Sequence, residues 1–155
     1  EPLRKRGPGS RHYDGEGISA KPLTILSEGV LQSYFVDTYY GRKLGWQPTT
    51  GSASNLVLDL GEQDLAGILK SVGQGIYVTS WLGGNANATT GDFSFGVRGH
   101  LIEDGEPGKP ISEMNVTGNY MELLDRLVEV GNDPVPWSGF RTPTLVFDGI
   151  QFSGG

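Results

Sequence analysis

The sequence predicts an α+β fold. Mostly antiparallel hairpins are expected to form a barrel-like or wrapped sheet, with two main helices at about 62–72 and 119–130. Three observations carry this expectation. Glycine accounts for 25 of the 155 residues, and glycine supplies positive φ at turns and bulges. Apolar and polar residues alternate at the strand period, most clearly in "DFSFGV" from Asp92 to Val97. Two longer stretches instead place apolar residues along one helix face, Leu65, Ile68, Leu69 and Val72 at spacings of 3, 4 and 7 and Met121, Leu124, Leu127 and Val128 at 3, 6 and 7.

Residues 1–17, "EPLRKRGPGSRHYDGEG", are charged and rich in Gly and Pro, and read as a tail or linker. The domain proper is expected to span 18–155. "KPLTILSEGVLQSYFV" holds two β-favouring runs around Glu28-Gly29, a hairpin signal. "DTYYGRKLG" offers Asp37 as N-cap and Gly45 as a stop, so a short helix is expected, followed by a loop at 47–55. "NLVLDLG" alternates and reads as a strand. Leu65, Ile68, Leu69 and Val72 give one helix, ended by Gly73 and Gly75. "GIYVTSWLGG" is a strand by its β-branched and aromatic content.

In the next strand Phe93, Phe95 and Val97 point one way and Asp92, Ser94, Gly96 and Arg98 the other. "EDGEPG" must turn, and "KPISEMNVTG" returns as the second arm of a long hairpin. The second helix starts at Asn119, with Glu122 at the capping-box position and Met121, Leu124, Leu127 and Val128 as its buried stripe; Gly131 and Pro134 end it. Finally, Asp148-Gly149 sits between two short apolar runs and predicts a two-residue hairpin.

Composition excludes several functions. A net charge of −6 and a pI near 4.8 oppose direct nucleic-acid binding, which needs a phosphate-neutralising surface. Four of the twelve basic residues, Arg4, Lys5, Arg6 and Arg11, crowd into the first eleven positions, leaving the remainder more acidic still. No apolar run reaches the roughly 20 residues of a membrane-spanning helix. The basic N-terminal run lacks the apolar segment of a secretory signal, and without an initiator Met the chain is expected to be a fragment or a processed piece. Without cysteine there is no disulfide, thiolate nucleophile or thiolate ligand in these 155 residues. The two N-x-T matches, at Asn87 and Asn115, are expected to be chance occurrences.

The candidate chemistry is sparse. His12, Asp14 and Glu16 stand at alternate positions, so an extended chain would place all three on one face, where a divalent ion could sit. Any polar strand face shows the same spacing, and loop carboxylates commonly accept backbone amides instead. A two-histidine site would require His12 and His100 to meet. No nucleophile elbow, dinucleotide fingerprint or phosphate loop occurs. "TTGDFSFG" has a further reading: if its polar face or its edge opens on a cleft, an extended peptide could add there as another strand. The alternative is that both faces are covered.

Three segments, "YDGEG", "EGVLQSYFVDTYYGRKLGWQPTTGSASN" and "TTGDFSFGVRGHLIEDGEPGKPISEMNVTGNYMELLDRLVEVGND", closely resemble the C-terminal domain of the TldD/PmbA family. Its members are described as modulators of DNA gyrase and as zinc metallopeptidases. The resemblance runs from about Tyr13 to the C-terminus, and with it 1–17 is expected to be an N-terminal tail or a linker from a missing N-terminal domain. The family has two kinds of subunit. The TldD kind carries H-E-x-x-x-H upstream of the region matched here and a late cysteine as third zinc ligand. The PmbA (TldE) kind lacks both, and this chain resembles it in "TGDFSFG" and in its cysteine-free "VPWSGFRTPTLVFDGIQFSG".

The resemblance implies a domain without catalytic residues or metal ligands of its own, helping to build a peptide-substrate cleft and a subunit interface. Zinc is expected only in a TldD-type partner. The expected partners are that catalytic subunit, or further copies of this chain, and extended peptides, with neither nucleic acid nor membrane. The implied location is the cytoplasm. Asp14 and Glu16 in "DGEG" and Asp92, Phe93 and Ser94 on the strand are the expected substrate-binding residues. Two other readings stand beside this one: a stand-alone peptide- or protein-binding module without proteolysis, and an autonomous hydrolase built on His12, Asp14 and Glu16.

Overall fold

The computed structural model describes residues 1–154. Its elements in chain order are β1 (Leu26–Ser27), β2 (Val30–Leu31), α1 (Thr38–Leu44), β3 (Leu56–Val57), α2 (Leu65–Val72), β4 (Gly75–Ala86) and β5 (Asp92–Glu103). There follow β6 (Glu106–Asn119), α3 (Tyr120–Asp125), β7 (Leu127–Val130), β8 (Phe140–Arg141), β9 (Leu145–Phe147) and β10 (Phe152–Ser153). The fold is α+β, as the glycine content and the strand alternation predict. The chain forms two compact units, one of Glu1–Asp59 with Val135–Thr142, the other of Leu60–Pro134 with the segment from Pro143 onward.

In the first unit, β1 and β2 pair antiparallel around Glu28-Gly29. Both turn residues have positive φ, 52° and 76°, the mirror-image turn whose twist matches the strands it joins. α1 begins where the Asp37 carboxylate accepts the Tyr40 amide and ends at Gly45 in the left-handed region. Arg42 and Lys43 in its last turn complement the helix dipole. "NLVLDLG" is not an independent strand. Only Leu56 and Val57 pair, and they do so in parallel with Phe140 and Arg141 across a long sequence gap. The alternation therefore marked a two-residue bridge to a partner that local pattern cannot name.

The second unit is organised by a four-stranded antiparallel sheet in the order β10-β6-β5-β4. It is open, so the barrel-like alternative is replaced by a sheet with two edges. The long β5–β6 hairpin turns at Asp104-Gly105, again with two positive φ values, and the amide of Gly105 donates to the Gly73 carbonyl. A Cβ on Gly105 would lie 2.9 Å from the Lys70 Cα, so the α2 backbone approaches too closely for any other residue. α2 starts at Leu65 rather than 62, because the Asp64 carboxylate caps Gly67. Ile68 and Leu69 are its buried residues.

The core of this unit is Phe93, Val97 and Val116, with Val78, Phe95, Met114, Leu123, Ile150 and Phe152 packed on it. Val97 has no exposed surface. Phe93, Phe95 and Val97 do share a face, as their alternation requires, while Asp92, Ser94 and Arg98 are exposed.

Two expectations are corrected. The helix predicted over 119–130 stops at Asp125, and Leu127–Val130 is strand β7, paired with β9. Leu, Val, Glu and Val fit either periodicity locally, and β9 supplies a hydrogen-bonding partner that decides for the strand. The predicted stripe consequently fails: Met121, Leu124 and Val128 are 70%, 51% and 63% exposed, and Leu123 is the α3 residue that meets the core. Asp148-Gly149 is a corner but not a hairpin turn. The run before it pairs with β7 and the run after it with β6, while the Arg126 guanidinium holds the corner by donating to the Gly149 carbonyl.

Val97→Ala should lower the unfolding free energy by about 2 kcal/mol, through two lost methyl groups and the void they leave. Exposed Val128→Ala should stay within about 0.5 kcal/mol. Urea unfolding of the two variants checks the contrast.

Candidate functional site

Among the sequence-predicted residues, Asp14 and Glu16 lie in the first unit and Asp92, Phe93 and Ser94 in the second. Asp14 is buried at the base of the "DGEG" loop. Its Oδ1 accepts the amides of Glu16 (2.9 Å) and Ile18 (3.0 Å), and its Oδ2 accepts the Thr50 hydroxyl (2.9 Å). Burial alone would raise this carboxyl, but the Ile18 and Glu16 amides, the Thr50 hydroxyl and the Gly51 amide together hold it below the usual range. Glu16 accepts both the amide (2.8 Å) and the hydroxyl (2.7 Å) of Thr38, the first residue of α1. Each carboxylate thus ties its loop to another part of the unit. His12 is exposed, so the alternate spacing does not make a shared metal-facing surface with buried Asp14.

A cavity of about 330 Å³ lies beside this loop. Ile18, Leu23, Ile25, Phe35 and Leu56 form much of its apolar wall, and Arg11, Asp14, Thr50 and Asn55 supply polar groups. The Arg11 guanidinium donates to the Ser52 hydroxyl, the Thr50 hydroxyl (3.1 Å) and the Ser52 carbonyl (2.6 Å). Thr50 therefore relays between Arg11 and Asp14. Asn55 is 2% exposed; its Oδ1 accepts the Gly9 amide and its Nδ2 donates to the Glu1 carbonyl and the Ser10 hydroxyl. Sequence reasoning missed Arg11, Thr50 and Asn55 as a set. Their partners lie 36 to 54 positions away, and no local pattern signals such pairs. The 1–17 segment accordingly lies folded against residues around 50–55.

In the second unit, the loop Asn87–Gly91 joins β4 to β5. The Asn87 side chain accepts the amides of Thr89 and Thr90, and the Asn119 amide group donates to the Thr90 carbonyl and the Asp92 carboxylate. The hydrogen bond from the Thr90 hydroxyl, then that from Asn119, outweighs partial desolvation and lowers the Asp92 carboxyl. Asp92 and Ser94 face solvent, whereas Phe93 is 8% exposed and lies against Tyr120, with ring centroids 4.9 Å apart. Phe93 belongs to the core of this unit, and it also lines a cavity of about 300 Å³ together with Thr117, Gly118, Asn119, Leu123 and Ile150. β5 is paired along both sides, by β4 and by β6, so it has no edge on which a peptide could add. What it offers is the face bearing Asp92 and Ser94.

Two further polar groups are accounted for by their neighbours. His100 Nδ1 lies 3.2 Å from the Gly108 carbonyl oxygen. Asp133 accepts the amide (2.8 Å) and hydroxyl (2.7 Å) of Thr144; burial pushes this carboxyl up, but these bonds and its own amide bring it below the usual range.

These features define a strand-rich α+β domain whose carboxylates brace its own loops. Comparison with known proteins narrows that class. Residues 1–154 match the model of the PmbA/TldA metallopeptidase C-terminal domain. The chain is 32% identical over 149 residues to a metalloprotease PmbA homolog of Haemophilus influenzae, covering 94% of this chain and 33% of that protein. It is 31% identical over 156 residues to the homolog of Buchnera aphidicola, covering 99% and 35%. A crystal structure from Bacteroides thetaiotaomicron, described as a candidate modulator of DNA gyrase, superposes with a TM-score of 0.95 at 47% identity, over 99% of this chain and 35% of that one. The chain belongs to the PmbA/TldD metallopeptidase family, as its C-terminal domain. It spans about a third of the length of the curated relatives it matches.

The family's zinc can be tested against the donors on hand. Among the described residues no three His, Asp or Glu side chains gather where they could hold a metal ion, and cysteine is absent. The donor set does not fit a zinc centre, and no metal-centred step follows from these residues.

Asn55→Ala should cost about 2–3 kcal/mol, because it leaves the Gly9 amide and the Ser10 hydroxyl without their buried partner; thermal unfolding measures it. The depressed carboxyls predict an acid limb. A group whose folded pKa lies below its unfolded value stabilises fully above the unfolded value, about 4 for Asp, and loses that contribution as pH falls through the folded one. Stability should therefore decline below about pH 4. Asp14→Asn and Asp133→Asn should each be less stable at neutral pH and show a shallower decline, read as urea midpoints across pH.

Proposed function

We propose that this domain is the non-catalytic C-terminal part of a PmbA-type (TldE-type) subunit, contributing to a peptide-substrate cleft and to a subunit interface. The observation that carries this reading is the fate of the carboxylates. In a family named for metallopeptidases, Asp14, Glu16, Asp92 and Asp133 spend their lone pairs on the amides and hydroxyls of their own chain. A catalytic zinc needs three protein ligands and an open position for water. In this reading a TldD-type partner supplies that centre, and the two work together in the cytoplasm.

Within the domain, the Asp92–Ser94 face and the Asp14–Arg11 cavity are the surfaces the reading assigns to peptide recognition. A cleft for extended chains needs main-chain partners and a few fixed polar groups. The hydrogen bonds that hold Asp92 and Asp14 in place supply such rigidity. The acidic balance speaks against direct contact with DNA.

The test uses the full-length protein. Purified alone, it should carry no stoichiometric zinc and should not cleave an unstructured peptide; mixed with a TldD-type subunit, cleavage should appear. One zinc per chain, with hydrolysis by the isolated protein, would overturn the proposal. Ser94→Arg, on the exposed face of β5, should then weaken peptide turnover through KM while leaving the thermal midpoint unchanged.

A further inference from the structure

We draw no further inference here: the strongest candidate, the cavity of about 330 Å³ beside the "DGEG" loop, in whose wall the buried Nε–H of Arg11 has no hydrogen-bond partner among the described residues, belongs to the site already described, and with the chain spanning about a third of its relatives nothing in the structure shows what covers that cavity in the full-length protein.

Discussion

The double pairing of β5 is the constraint on which the second unit depends. Its backbone is satisfied on one side by β4 and on the other by β6, so its side chains can only point to the two sheet faces. A period of two then sends Phe93 and Val97 into the core and Asp92 and Ser94 to solvent. A register slip of one residue would exchange these sets, so the fully buried Val97 also holds the polar face in place. The same pairing leaves β4 outermost and sends every question of strand addition to that edge.

In the first unit the corresponding part is played by a polar network. Asp14 sits where two loop amides and a hydroxyl from a distant segment converge, and Arg11 reaches the same hydroxyl. Buried polar groups must be matched, and a loop that supplies its own matches is rigid without a large apolar core. That economy has a functional consequence. Carboxylates engaged by hydrogen bonds in this way are poor candidates for coordinating a metal, so this region braces the domain in a family whose name refers to metallopeptidase chemistry.

How much of this was legible in the sequence depended on distance along the chain. Turns were legible when both arms were neighbours: Glu28-Gly29 and the "EDGEPG" reversal turned as expected, because positive φ at Gly is a local property. Asp148-Gly149 has the same chemistry but joins strands of different sheets, since the runs on either side found partners elsewhere. The α2 stripe was legible because Asp64 caps it and Gly73 ends it within a few residues. The second helix was overextended because "LVEV" suits a helix and a strand alike, and only β9 distinguishes them. Asp14 and Asp92 stand in motifs that the sequence singles out, whereas Thr50 and Asn55, which brace the unit that holds Asp14, have no local mark at all.

By itself, then, the amino-acid order determined the fold class, the local turns, the two-faced character of Asp92–Val97 and the absence of thiolate chemistry, because each follows from backbone preference, side-chain period or composition. Tertiary structure alone decided which strands lie at the edge, which carboxylates are occupied and where the 119–130 segment stops being helical. Those outcomes rest on hydrogen bonds between residues far apart in sequence, and such a bond exists only once the chain has brought its two ends together.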